Sequence, residues 1–297
     1  MTAARYRIEH VTRYVHAGGV STSQHLAYLT PRTLPRQSLQ FQELVIEPAP
    51  ASHVRRVDYF GNTVDQFTIL TPYDEVRVIG RSVVEVAAAD APPALDAAAP
   101  WEEVRDGLLY ERGAPYEDAV EFSYPSPYAT TAPELAGFAR ESFAPQRPLI
   151  AAAVDLMHRI HDEFTFDPGS TTIATPVTRV LADRHGVCQD FAHLQIGCMR
   201  SLGLSARYVS GYLLTDPPPG ELPLVGADAS HAWLSVWCPR LGWVDLDPTN
   251  DVLPSERHVT LAWGRDYGDV SPLRGVVLGG QDHTLHVGVS VTPDRNV

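Results

Sequence analysis

Two periodicities divide the chain. Between Tyr6 and Val86, apolar and polar residues alternate in short runs: Tyr6 to Tyr14, Leu39 to Ile46, Val54 to Leu70 and Arg77 to Val86. Side chains on a strand point to opposite faces in turn, so a period of two predicts half-buried strands. Gly61-Asn62 interrupts the third run with turn chemistry and predicts a hairpin there. From Leu149 the period lengthens. Ile150, Val154, Met157, Ile160 or His161 and Phe164 recur at helical spacing, predicting an amphipathic helix from Leu149 to Phe166 that Asp167-Pro168-Gly169 ends. A short helical piece follows from Val177 to Asp183. A second long helix opens at Cys188, carries Phe191, Leu194 or Gln195, Met199 and Leu202 on one face, and stops at Gly203. Strand-like stretches return at Ala206 to Leu214, Ser230 to Trp237, Gly242 to Asp247, His258 to Trp263 and Thr284 to Val291.

Strands gathered first, then helices mixed with strands, argue for an α+β chain. We read residues 1–90 as an all-β, sandwich-like or open-barrel domain, 91–148 as a connecting segment packed on the core, and 149–297 as that core. Ala87 to Pro100 has linker composition. Behind it, Trp101, Tyr110, Tyr116, Phe122, Tyr124 and Tyr128 are too many aromatics for a solvated tether. Pro133 to Phe143 adds a short amphipathic piece. Asp216-Pro217-Pro218-Pro219-Gly220 reads as a rigid exposed loop beside the later strands.

The chemistry starts at Cys188. Unpaired backbone N–H groups at a helix start, together with the helix dipole, favour a thiolate, and the thiolate is the nucleophile. A cysteine taken alone more often simply packs. What changes its weight is His231 on one predicted strand and Asp247 at the end of the next, which a tight turn over Pro239 to Gly242 lays side by side. Cys, His and Asp in that arrangement supply a nucleophile, a base and a group that orients the base.

Four stretches carry a family resemblance: Gly186-Val187-Cys188-Gln189-Asp190-Phe191-Ala192, Ala206-Arg207-Tyr208-Val209-Ser210-Gly211-Tyr212, His231-Ala232-Trp233 and Asp247-Pro248-Thr249. In this order they resemble the bacterial transglutaminase-like proteins. Tyr59-Phe60-Gly61-Asn62 resembles part of the N-terminal region that accompanies such cores. The resemblance implies a papain- or transglutaminase-like core, its catalytic cysteine at a helix N-terminus packed on an antiparallel sheet. It gives Cys188 the role of nucleophile, His231 that of its partner and Asp247 that of third member. Asp190, Tyr212 and Trp233 are the candidate substrate-binding residues. Capping competes with that role for Asp190, and core packing competes for the two aromatics. His185 and His193 flank the nucleophile and read as non-catalytic. His10, His16, His25 and His53 lack metal-ligand spacing and read as surface or packing histidines.

Composition narrows the choice of partner. A net charge of −13 over 297 residues argues against a general nucleic-acid binder, which needs a basic footprint. No apolar run is long enough to span a bilayer, and the charged start, with Arg5, Arg7, Glu9 and Arg13, lacks the apolar stretch of a secretory signal. The expectation is a cytoplasmic protein that does not engage a membrane. Of the three cysteines, Cys198 is expected in the core and Cys238, just before Pro239, half exposed. The expected activity is acyl transfer from a peptide or protein amide through a thioester, with neither metal nor cofactor. Hydrolysis comes first and glutamine transamidation second. An acetyltransferase that draws on a CoA thioester fits poorly with a cysteine so far along the chain. A scaffold with a vestigial triad is the non-enzymatic alternative.

Overall fold

The computed structural model describes residues 3–88, 95–109, 117–215 and 230–294. Its first element, β1 (Ala3–Ala27), is a single strand of 25 residues, longer than its alternating run predicts. Gly18, at a φ of 82°, adopts a backbone that a side chain would strain, and the register of β1 shifts between Val15 and Val20. There follow β2 (Gln37–Glu47), the hairpin β3 (Ser52–Val57) and β4 (Thr63–Ile69), and β5 (Tyr73–Ala87). Gly61 makes the turn of that hairpin at a φ of 77°, where the sequence expected it.

Three helices follow: α1 (Trp101–Gly107), α2 (Pro133–Arg140) and α3 (Leu149–Glu163). Next come the two-residue strand β6 (Thr165–Phe166), α4 (Val177–Asp183), β7 (His185–Gly186) and α5 (Cys188–Ser201). The chain continues through β8 (Ala206–Leu213), β9 (Ser230–Cys238), β10 (Gly242–Leu246) and β11 (His258–Gly264). It ends in α6 (Tyr267–Val270), β12 (Leu273–Gly279) and β13 (His283–Pro293). The expected loop at Asp216 to Gly220 lies outside the described residues, as does the middle of the Ala87 to Pro100 stretch.

The strands form an antiparallel sheet in the order β2-β5-β1-β4-β3, with β12 and β13 both pairing with β1, and a four-stranded antiparallel sheet in the order β10-β9-β8-β11. The last two strands depart from the expected division of the chain, because they rejoin the N-terminal sheet rather than the 149–297 core. The reason lies in β1. Its first half has β5 on one edge and its second half has β4, which leaves an open edge along each half. β13 pairs along Tyr6–His16 and β12 along Val20–Ala27, so neither half presents unpaired backbone.

α5 is the central element. The spacing predicts one apolar face, yet α5 is buried on all sides from Asp190 to Arg200. Its polar residues are matched to backbone: Gln195 donates to the Ala153 carbonyl at 2.8 Å, and the buried Arg200 guanidinium donates to the carbonyls of Phe122, Ala206 and Arg265. Those bonds strap the connecting segment, β8 and the loop before α6 to one helix. Burial holds Arg200 down at about 10, still a cation at neutral pH. A Cβ at Gly197 would come within 2.9 Å of the Thr130 carbonyl, so a side chain there would push the connecting segment away. Cys198 is buried on α5, and burial pushes its thiol up to about 12. Cys238 is fully buried too, contrary to the expectation of half exposure. Alternation along β9 puts it on the same face as Ala232, Leu234 and Val236, under the helices.

Candidate active site

A glycine and a capping carboxylate fix the start of α5. A Cβ at Gly186 would lie 2.8 Å from the Asp190 Cβ and 2.9 Å from its Oδ2, so glycine makes room for that side chain. Asp190 Oδ2 accepts from the Val187 N–H at 2.9 Å and from Thr171 Oγ1 at 2.6 Å. Val187 has no acceptor of its own, so the cap runs one way, from carboxylate to backbone. Asp190 is thereby engaged as a buried helix cap, with its charge beside the positive end of the dipole. Cys188 follows at the first helical position and is partly exposed.

β9 and β10 bring the other two groups. Their register pairs Trp243 with Trp237 and Asp245 with Ser235, and the turn between them uses positive φ at Arg240 and Gly242. Just past the end of β10, Asp247 Oδ2 meets His231 Nε2 at 2.7 Å. Cys188 also acts on the His231 ring, since it is among the groups that raise the ring's pKa. Burial alone would lower the His231 pKa. The hydrogen bond to Asp247, its charge and the neighbouring Cys188 outweigh it and hold the imidazolium well above the ordinary histidine range.

Asp247 is fully buried and heavily partnered. Its Oδ1 accepts from the backbone N–H groups of Thr249 at 3.0 Å and Asn250 at 3.3 Å. Its Oδ2 takes His231, the Asn250 side-chain amide at 2.7 Å and His258 Nε2 at 3.1 Å. Burial works against the charge, but the donors from His231 and His258 prevail and keep the carboxyl far below its usual range. Neither Asn250 nor His258 stands out in the sequence. Asn250 has only its place three residues after Asp247 as a signal, and His258 becomes a neighbour only through the pairing of β11 with β8. His231, Asp247 and His258 also have ligand atoms close enough to surround an ion. Here, however, both rings bond the same carboxylate oxygen, so an ion would have to displace both bonds.

The remaining candidates fall elsewhere. Tyr212 is buried and its hydroxyl meets His10 Nδ1 at 3.0 Å, which turns it toward the N-terminal sheet. Trp233 is completely buried, its ring 6.0 Å from His231 and 5.3 Å from His258. Tyr208 is the buried aromatic close enough to Cys188 to feel its charge, although burial is the larger cause of its raised pKa. His193 is buried, stays neutral because burial lowers its pKa to about 3, and accepts from the Tyr267 N–H at 3.1 Å. Arg265 and Asp269 pair with each other, and Asp266 caps α6.

Residues 6–85 match the model of the bacterial transglutaminase-like N-terminal region, and residues 136–248 match that of the transglutaminase-like superfamily. The chain is 42% identical, over 97% of its length and 93% of the relative's, to the uncharacterized protein Rv2569c of Mycobacterium tuberculosis. The chain belongs to the transglutaminase-like superfamily. Membership brings with it the superfamily's general chemistry, cysteine-dependent acyl transfer at an amide. A crystal structure of a candidate cysteine protease from Cytophaga hutchinsonii superimposes with a TM-score of 0.74 at 19% identity. It covers 100% of this chain and 96% of the other, and so shares the transglutaminase-like fold described above. A protein-glutamine gamma-glutamyltransferase of Pseudomonas aeruginosa is 34% identical over 122 residues, which are 40% of this chain and 18% of that protein.

Proposed function

We propose that the chain is a cysteine amidase or peptidase that transfers the acyl group of a peptide or isopeptide amide to water. The observation that supports this reading is the His231–Asp247 hydrogen bond, 2.7 Å long, to a buried carboxylate that raises the His231 pKa, with Cys188 at a helix start acting on the same ring. The Cys188 thiolate attacks the amide carbonyl carbon. The carbon–nitrogen bond breaks as imidazolium His231 gives its proton to the leaving amine, and a thioester remains. Water then attacks the thioester, His231 takes its proton, and the sulfur leaves as thiolate. The Cys188 backbone N–H, at the helix start, serves as one oxyanion donor. Asp247 keeps the ring oriented throughout. A reducing, cytoplasmic setting, which keeps the thiol free, is part of the proposal.

The local match to a gamma-glutamyltransferase favours a second reading, in which an amine replaces water as acceptor. One experiment covers both. Exposing the protein to a peptide library with a labelled primary amine, followed by mass spectrometry, reads released amine, incorporated label and any thioester on Cys188. The expected result is hydrolysis that disappears in Cys188→Ala while the circular dichroism spectrum is unchanged. Hydrolysis retained by folded Cys188→Ala would remove the nucleophile, and label incorporation exceeding hydrolysis would move the assignment to transamidation.

A further inference from the structure

Asp247 Oδ2 has more donors than a carboxylate oxygen has lone pairs. His231 Nε2 lies 2.7 Å away, Asn250 Nδ2 2.7 Å and His258 Nε2 3.1 Å. An ionised carboxyl offers about four lone-pair positions over its two oxygens, roughly two on each. His258 therefore competes with His231 for the same negative charge. Oδ1 is served separately, by the backbone N–H groups of Thr249 and Asn250. Those two bonds and the Asn250 side chain hold the carboxylate in place without help from His258. What His258 adds is a further donor on the oxygen that faces the base.

The fold keeps His258 from swinging away. β11 carries it opposite Leu213 of β8, and its backbone N–H donates to the Ser255 carbonyl at 3.1 Å. The residue is buried, and its ring stands edge-on to Trp233, the centroids 5.3 Å apart and the planes at 82°. An ionised carboxyl only accepts, so the His258 proton that meets it sits on Nε2. Nδ1 has no partner among the described residues, which leaves Asp247 as the one polar contact of the ring. In the reaction proposed above, imidazolium His231 must give a proton to the leaving amine. A carboxylate with undivided charge would hold the imidazolium harder and slow that transfer. A third donor on Oδ2 weakens the hold.

We propose that His258 is a positioning residue that acts through Asp247, drawing off part of the carboxylate's charge so that the His231 imidazolium releases its proton more readily to the leaving group. This role rests on acyl transfer by Cys188 and His231, but the division of Oδ2 can be read without a substrate. The readout is the NMR resonance of the proton between His231 Nε2 and Asp247, assigned by its loss in His231→Gln; it moves downfield as that bond strengthens. His258→Phe keeps a ring edge on Trp233 and removes the donor, so the His231 proton should move downfield. His258→Gln, whose side-chain amide donates from about the same place, should return it toward the wild-type position. Asn250→Ala removes the other side-chain donor on Oδ2 without touching the Trp233 contact, and should shift the proton downfield even where His258→Phe fails to fold. On a peptide amide found with the library described above, His258→Phe should lower kcat about tenfold and leave KM within about twofold, because His258 touches Asp247 and not the substrate. His258→Gln should recover most of that kcat. A His231 proton that stays in place or moves upfield in either folded variant, or a kcat that His258→Gln fails to recover, would overturn the proposal. An absence of hydrolysis in the wild-type protein would overturn the acyl-transfer reading and the role of His258 in it, while the NMR shifts would still establish whether Oδ2 is divided.

Discussion

Replacing Asp247 with Asn changes the shape of the site least and its electrostatics most. The carboxylate receives five donors, three on Oδ2 and two on Oδ1. An asparagine keeps one oxygen and sets an NH2 against the donors on the other side. If the oxygen stays with Thr249 and Asn250, the NH2 faces His231, His258 and the Asn250 amide, all of them donors. Each hydrogen bond to a charged group contributes about 1.5–3 kcal/mol, and breaking a buried pair by removing one partner costs about 3–5 kcal/mol. We therefore expect Asp247→Asn to lower unfolding stability by about 3–5 kcal/mol where both partners are charged.

The pH window follows from the two shifts. Asp247 is depressed in the fold, so its contribution is present above the unfolded carboxyl value, about 3.9, and disappears as pH falls through the lower folded value. His231 is raised, so its contribution is complete below about 6.5 and disappears as pH rises through the higher folded value. The stability difference between the two proteins, read from urea midpoints, should be greatest between about pH 4 and 6.5 and shrink on either side. Alkylation of Cys188 by iodoacetamide gives an independent reading of the same pair. The wild-type rate should be nearly flat from about pH 5 to 8, and the Asp247→Asn rate should climb toward the free-thiol value near 8.5. A stability difference that does not vary with pH, or superimposable alkylation profiles, would refute the assignment of His231 as a carboxylate-held imidazolium.

Two glycines provide further tests. Gly186→Ala should cost about 1–3 kcal/mol by driving a methyl group into the Asp190 cap, and it should slow Cys188 alkylation as the helix start shifts. Asp190→Ala alone should cost about 0.5–2 kcal/mol as a lost cap, and the double variant should cost less than the sum, since the truncated side chain vacates the space. Gly211→Ala should be more severe, about 3 kcal/mol or beyond. Its Cβ would fall 2.3 Å from both Trp233 Cη2 and the Val259 carbonyl, and the backbone atom has no room to yield. A displaced Trp233 indole resonance in whatever fraction remains folded would locate the damage.

The elements governed by local period were legible from the chain: α4, the start of α5 and β9 through β11 fall within a residue or two of their expected bounds. What escaped was set by pairing between distant segments. The return of β12 and β13 to β1 answers a need for edges to be covered that no window of sequence displays, and Tyr212 meets His10 across 202 positions. The same limit explains the site. The alternation His231, Trp233, Ser235, Trp237 was visible and puts all four on one face of β9, so His231 and the buried Trp233 lie side by side there, their rings 6.0 Å apart. The closeness of Leu34 to Gln37 to that face was not visible, because it exists only once the N-terminal unit docks. The surroundings of Trp233 are therefore a property of the assembled chain, which no window of sequence around it displays.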